Sequence, residues 1–243
     1  MRIVTRADHP ELQDEAAAVF RERWPEFIFH DEVPKKYLGR VEEHFGHFDV
    51  MALGDDGAVL AGGWGVPLAW DGTVADLPSG YDDALVRAVE GHEAGREATT
   101  LSFMAAAVGA AHDKRGLATA VLGELTRRAY GKGLSHVIAP LRPTGKHRYP
   151  TVPMAEYATW TRADGLSIDP WIRTHQRMGA RVLGPAPSSM VIEGTVAEWE
   201  SWTGMVFPVT DDYVVPDALN TVHIDVERDR GVYVEENLWV RHA

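Results

Sequence analysis

Apolar residues recur along this chain with two alternating periods, about 3.6 residues in some stretches and about 2 in others. Ile3 to Thr5 read as a short strand. Leu12, Ala16, Val19, Phe20 and Trp24 follow at helical spacing, with Asp8 as the predicted N-cap, Pro10 in the first turn and Pro25 limiting the run. A second helix is expected over Val33 to Phe45. Residues 48–68 read as an antiparallel hairpin, because two apolar runs flank the turn-forming Gly54-Asp55-Asp56-Gly57. A further helix lies within Leu77 to Gly95, and Thr100 to Val108 has the length of a buried central strand closed by Gly109. In the next helix, Leu117 to Tyr130, the apolar residues Leu117, Val121, Leu125 and Ala129 stand four apart, and Gly131 and Gly133 end it. His136 to Leu141 is a second buried strand, and strand, loop, helix, strand is the order of a parallel βαβ unit.

The periodicity then breaks over residues 142–168, which are rich in Pro, Tyr, Trp and basic side chains. It resumes at a short helix capped by Asp169, with Pro170 at its first position and Gly179 just past its end. Ser189 to Glu193 look like a strand, and Thr195 with Glu198 forms a capping box for a small helix through Trp202. Thr221 to Val226 and Gly231 to Val240 alternate like a hairpin.

At 243 residues, 45% hydrophobic and 25% charged, the composition is that of one globular domain with a sizeable extension. No apolar run approaches the roughly 18 to 20 residues that cross a bilayer, and the first residues carry no apolar signal region, so the expectation is a cytoplasmic protein without a membrane partner. The absence of cysteine excludes disulfides, a thiolate nucleophile, iron–sulfur clusters and Cys-ligated zinc. A formal charge of −12, from 24 Lys plus Arg against 36 Asp plus Glu, argues against a nucleic-acid partner.

Chemistry concentrates where the central strand meets the next helix, at Val108-Gly109-Ala110-Ala111-His112-Asp113-Lys114-Arg115-Gly116-Leu117-Ala118-Thr119. A helix start leaves backbone N–H groups without partners at the positive end of the dipole, and Gly116 and Ala118 allow close approach, so the turn can cradle a pyrophosphate. The stretch resembles the Gln/Arg-x-x-Gly-x-Gly/Ala turn of the GNAT superfamily of acyl-CoA-dependent N-acyltransferases, in which the turn begins five residues after a valine ending the central strand. Here Asp113-Lys114-Arg115-Gly116-Leu117-Ala118 follows Val108 at that distance. The resemblance implies an α/β (α+β) fold, a GNAT-like mixed central sheet flanked by helices, here with a β-rich C-terminal extension. It implies that the amides of Lys114, Arg115, Gly116, Leu117, Ala118 and Thr119 hold the CoA pyrophosphate, while Ala106, Ala107 and Val108 pair with the pantetheine arm and acyl carbonyl. Asp113 stands where the family has Gln or Arg; its carboxylate would repel a pyrophosphate unless turned outward or offset by Lys114 and Arg115.

A second match is Trp171-Ile172-Arg173-Thr174-His175-Gln176-Arg177-Met178-Gly179-Ala180, which resembles the family's short helix ending in Tyr-x-x-x-Gly. His175 occupies the place of the tyrosine that protonates the departing thiolate, while Ile168 and Ala180 replace the family's Asn and Phe. The resemblance covers roughly residues 1–195, leaving 142–168 as an insertion and 196–243 as an extension packed on the same domain.

No Asp or Glu lies in strand 100–108, so a general base must come from elsewhere, with Glu156, Asp164 and His147 as candidates. Arg142, Lys146, His147 and Arg148 form a basic cluster that could bind an acidic acceptor, a carboxylated acyl group or a CoA phosphate, or else form a solvated loop. Tyr149, Tyr157, Trp160 and Trp171 either line an acceptor pocket or pack in the core. His44 and His47 lack a third ligand, so no metal is expected, and Ser188-Ser189 lacks the setting of a hydrolase nucleophile. The expectation is transfer of an acetyl or other short acyl group from an acyl-CoA to the amine of a small molecule, by direct attack. A non-catalytic CoA-binding or interaction module, and transfer from a carrier-protein thioester, are the alternatives. The acceptor is left open, since the overall charge favours cations and the 142–148 cluster anions, and a homodimer through the tail is possible.

Overall fold

The computed structural model describes residues 1–113 and 115–242. Its first half runs β1 (Arg2–Thr5), α1 (Gln13–Arg21), α2 (Glu32–Phe45), β2 (Asp49–Leu53), β3 (Val59–Leu68), α3 (Tyr81–Glu93), β4 (Thr100–Val108), α4 (Leu117–Gly131) and β5 (His136–Leu141). After this come α5 (Met154–Tyr157), α6 (Pro170–Arg177), β6 (Arg181–Gly194), α7 (Val196–Thr203), β7 (Asp211–Tyr213), β8 (Val222–Asp225) and β9 (Arg230–His242). The strands form one sheet in the order β1-β2-β3-β4-β5-β9-β8-β7, with β6 also on β9. The pair β4–β5 is parallel and its neighbours are antiparallel, which makes the sheet mixed.

Two irregularities open this sheet. β4 and β5 pair only from Thr100 opposite His136 to Ser102 opposite Ile138, so beyond Ser102 the strands part. On its other edge β4 stays on β3 but shifts register between Trp64 and Gly65, leaving Met104 as the extra, bulged residue. A second opening lies on β9. One of its edges carries β6, whereas the other is shared by β5, opposite Leu238–His242, and β8, opposite Arg230–Tyr233. Residues 234–237 face neither strand on that shared edge. The apolar core lies on both faces, with α2 and α3 covering one, α4 the other, and α1 closing a smaller cluster over β1 and β2.

Several expected elements keep their bounds: β4 and β5 match to the residue, and Asp169 and Thr195 cap α6 and α7 as their sequences indicate. Asp8 does not cap α1. It accepts the Thr5 hydroxyl at 2.6 Å instead, and a 3-10 turn over Pro10–Leu12 precedes a helix that begins at Gln13. Trp24 lies past the end of α1, held between Phe20 and Phe29. β6 runs for 14 residues where five were expected, because Gly184, Pro185 and Pro187 obscure its period and two register shifts interrupt it.

Candidate active site

The parted strands open onto a cavity of about 910 Å³, walled by the free edge of β4, the N-terminus of α4, α6 and the segment joining α1 to α2. Its size falls within the range of ligand pockets. Phe103 to Val108 line it and have no strand partner on the side facing β5, so main-chain groups there, apart from the Val108 carbonyl, can pair with a ligand. At the far end of β4, Gly116 is the N-cap of α4 at φ +75°, a left-handed conformation that glycine adopts without cost. The helix bonds start with Ala120 N–H donating to the Gly116 carbonyl at 3.0 Å, which leaves the N–H groups of Leu117, Ala118 and Thr119 without intrahelical acceptors. Arg115, Gly116, Leu117, Ala118 and Thr119 all line the cavity, as do Ala106, Ala107 and Val108, whereas Lys114 lies outside the described residues.

Asp113 is turned to a partner. Arg23 donates through Nη2 to its carboxylate and through Nε to the Val108 carbonyl at 2.7 Å. The negative charge that departs from the family pattern thus sits in an ion pair beside the turn. Sequence reasoning did not find Arg23, which comes from the end of α1 and also lines the cavity.

α6 carries Trp171 and His175 to the opposite wall. Asp169 starts this helix by accepting N–H donors from Trp171 at 2.8 Å and Ile172 at 3.1 Å through one oxygen. Its other oxygen accepts from Gly145 N–H at 2.6 Å and from the Tyr157 hydroxyl at 3.0 Å. A Cβ on residue 145 would lie 2.8 Å from that hydroxyl, so only glycine lets the chain approach this closely. His175 is 1% exposed, its Nδ1 is 2.8 Å from Nε2 of His242 on β9, and its Nε2 has no protein partner. Burial, with the neighbouring ring, pushes the His175 imidazole down to about 3, and burial pushes His242 down to about 4. Both are therefore neutral near pH 7.

A third wall comes from β9. Glu235 is fully buried and accepts from Arg142 Nε at 2.9 Å, the Tyr233 hydroxyl at 2.8 Å and Asn237 Nδ2 at 2.8 Å. Arg142 also donates through Nη2 to the Asp217 carbonyl at 2.7 Å, which fixes its guanidinium in the cavity wall beside Glu235 and Asn237. Burial raises the carboxyls of Asp31 and Asp82, and the charge of Asp31 raises Asp82 further, whereas the hydrogen bond with Asp82 pulls Asp31 down. Across the cavity, burial pushes Asp49 up to about 6, partly offset by Arg6 at 3.6 Å.

The basic cluster of 142–148 is dispersed. Arg142 is paired, and Lys146 is buried, donating to the Tyr149 and Leu219 carbonyls at 2.9 and 2.7 Å. His147 lines the cavity, whereas Arg148, Tyr149, Glu156 and Asp164 lie outside its lining on exposed positions. Tyr149, Tyr157 and Trp160 pack on one another and hold the segment against α6. Among the described residues no group of three or more His, Asp or Glu side chains could hold a metal, and no helix is long and apolar enough to cross a membrane.

No family model matches the sequence. The chain is 31% identical over 247 residues to the arginine N-acetyltransferase avaD of Aspergillus versicolor, an alignment that spans 90% of this chain and 84% of that one. In structure it resembles the loading GNATL domain of CurA from Lyngbya majuscula, with a TM-score of 0.60 and 16% identity over 96% of this chain and 92% of that one. It also resembles the GphF GNAT-like decarboxylase solved with isobutyryl-CoA, with a TM-score of 0.60 and 17% identity over 100% of this chain and 99% of that one. At such identities the structural likeness concerns the fold alone.

Proposed function

The chain belongs to the GNAT superfamily of N-acyltransferases, and from that premise we propose that it acetylates a small cationic amine bearing a carboxylate, of the kind arginine exemplifies, with acetyl-CoA as donor. The observation that carries the reading is the bulged, unpaired edge of β4 running onto the open N-terminus of α4. A pyrophosphate suits that end, because Arg115 and Leu117 to Thr119, whose N–H groups lack intrahelical acceptors, line the cavity there. The remaining length of β4 suits an extended amide-containing arm, which can pair with a free strand edge.

When bound, the acyl-CoA supplies an activated carbonyl carbon and a thiolate leaving group. The residues of this chain have the complementary tasks. N–H groups on the free edge of β4 hold the carbonyl oxygen as it gains negative charge. His175 presents Nε2 to the departing sulfur. Asp49, poised near 6, takes the ammonium proton through intervening water. Arg142 offers the N–H donors of Nη1 to the acceptor carboxylate.

The conflict between an acidic chain and a basic 142–148 segment dissolves on this reading. Arg142 already forms an ion pair with Glu235, and Lys146 is spent on carbonyls, so the segment presents one oriented guanidinium and not a positive field. Glu42, Asp49 and Asp217, all on the lining, favour the cationic end of the acceptor.

The test is incubation with acetyl-CoA and a panel containing arginine, lysine, agmatine (arginine without its carboxylate) and neutral amines, followed by thiol release and product mass. Acetylated arginine, formed faster than acetylated agmatine, is the expected result. No heat on titration with acetyl-CoA, or no thiol release with any amine, would overturn the proposal.

A further inference from the structure

Two imidazoles 67 positions apart meet where His175 lines the cavity and His242 lies behind it. β9 brings the second one there, since its last residues pair with β5 and place His242 opposite Val137. Ring contacts fix both: Trp171 lies edge-on to His175 at 4.6 Å, and Phe103 to His242 at 5.2 Å. The line from His175 Nδ1 to His242 Nε2 is thus held by packing from β4 and α6.

A hydrogen bond between two ring nitrogens requires one to donate and the other to accept. Because burial keeps both rings neutral, only two arrangements exist. In one, His242 Nε2–H donates and His175 carries its proton on Nε2, which is buried without a protein partner among the described residues. In the other, His175 Nδ1–H donates and its Nε2 is bare. A neutral imidazole by itself is a weak acid, because losing Nε2–H would leave an imidazolate. That obstacle disappears if Nδ1 gains a proton as Nε2 loses one. His242, 5% exposed, is placed to supply it, and its own Nδ1 makes no hydrogen bond among the described residues.

We propose that His242 and His175 form a two-ring relay that carries a proton from solvent to the departing sulfur of the acyl donor. The relay rests on the acyl-transfer reading given above. The sulfur takes the Nε2 proton of His175 as the C–S bond breaks. His175 Nδ1 takes the Nε2 proton of His242, and His242 Nδ1 takes one from water. Each ring gains one proton and loses one, so neither changes charge. After the products leave, water returns a proton to His175 Nε2, His175 Nδ1 passes the shared proton back to His242 Nε2 and His242 Nδ1 releases one, which restores the first arrangement. The acceptor ammonium sheds two protons to Asp49 and solvent, so one turnover releases one net proton. His242 acts only through His175.

Two measurements test the relay. In the free protein with ¹⁵N-labelled histidine, a scalar coupling across the His175 Nδ1 to His242 Nε2 bond is expected, with both rings neutral from pH 5 to 8. Absence of the coupling, or titration of either ring in that range, overturns it without reference to activity. His242→Gln can still donate to His175 but cannot pass a proton on. It should lower kcat by about 100-fold while leaving the KM for acetyl-CoA within twofold and the melting temperature close to wild type. The dependence of kcat on D2O fraction should change from bowed, with several protons in flight, to linear. An unchanged kcat and an unchanged isotope profile would sink the relay while leaving acyl transfer intact. Wild-type protein that binds acetyl-CoA but releases no thiol with any amine would instead sink the acyl-transfer reading and the relay with it.

Discussion

Asp169 ties the two segments that carry the site to each other, and its replacement by Asn separates their contributions. The carboxylate is wholly buried and accepts four donors: Trp171 and Ile172 N–H at the start of α6, Gly145 N–H, and the Tyr157 hydroxyl. Asparagine keeps one carbonyl oxygen and replaces the other with an NH2 group. If that oxygen continues to cap α6, the NH2 group faces the Gly145 N–H and the Tyr157 hydroxyl, donor against donor. A hydrogen bond to a charged group contributes about 1.5–3 kcal/mol, and the hydroxyl can rotate to recover part of its loss, so the net cost is about 3 kcal/mol. For a chain of this length each kcal/mol lowers the melting temperature by about 2–4 °C, which puts the drop near 6–12 °C. The kinetic consequence is directional. Loosening Gly145 frees the segment that holds Arg142 and His147, and loosening α6 moves His175, whereas none of the four hydrogen bonds to the Asp169 carboxylate comes from α4. Thermal melts with steady-state kinetics should show lower kcat and higher acceptor KM, with acetyl-CoA affinity preserved. A melting temperature within about 2 °C of wild type would refute the energetic argument. An acetyl-CoA Kd rising as far as the acceptor KM would refute the separation of the two half-sites.

Gly116→Val puts a β-branched residue at φ +75°, where strain of about 1–2 kcal/mol will shift the α4 N-terminus, so calorimetry should find acetyl-CoA bound about tenfold more weakly. With the base poised near 6, log kcat/KM for the acceptor should rise with pH and level off above about 6, and Asp49→Asn should lose that rise. Because burial raises this carboxyl from 3.8, wild-type stability falls as pH climbs through 3.8 to about 6, so Asp49→Asn should melt higher than wild type at pH 7 and like it below pH 3.8. Arg142→Gln should raise the KM for arginine about tenfold while changing that for agmatine little, and should cost about 3 kcal/mol of stability by leaving Glu235 buried without its counter-ion.

The central part of the fold was readable because its punctuation is local. Gly109, Gly116, Gly131 and Pro170 sit at element ends, and the caps of α6 and α7 are formed by the residues whose types announce them. Asp8 shows the limit of that logic: a cap-forming residue before an apolar run was diverted by a closer donor, Thr5. The candidate site divides in the same way. The α4 turn and His175 follow from short-range patterns, whereas Arg23, Asp49, Glu235 and Asn237 reach the cavity, and His242 reaches His175, through strand and helix pairing over long separations. A signal for two of them was present. Along β9 from Gly231 to Asn237 the buried positions are Gly231, Tyr233, Glu235 and Asn237, while Val234 faces out, so polar residues share the parity of the aromatic Tyr233 and Trp239. Such an inversion in an alternating strand marks a buried polar site.

The same strand explains how the sheet tolerates its opening. Parting β4 from β5 removes ladder partners from both, at about 0.5–1.5 kcal/mol for each hydrogen bond, and a strand such as β5 with only three paired residues on one side would be weakly held. β9 runs along the other edge of β5 from Val137 to Leu141, so each residue beyond the split still has a neighbour. β9 is itself backed by β6 over most of its length, and α4 packs on β5 in the same apolar cluster, which together hold β5 apart from β4 beyond the split. Since β9 must lie there to hold the wedge open, its side chains face the wedge as well. Glu235 and Asn237 reach it in the gap between β5 and β8, and His242 reaches His175 at the strand's end. Acceptor contacts and proton delivery thus come from the residues whose backbone keeps the donor channel open, and a substitution that shifts β9 by one register position would exchange its two faces and remove all three side chains together.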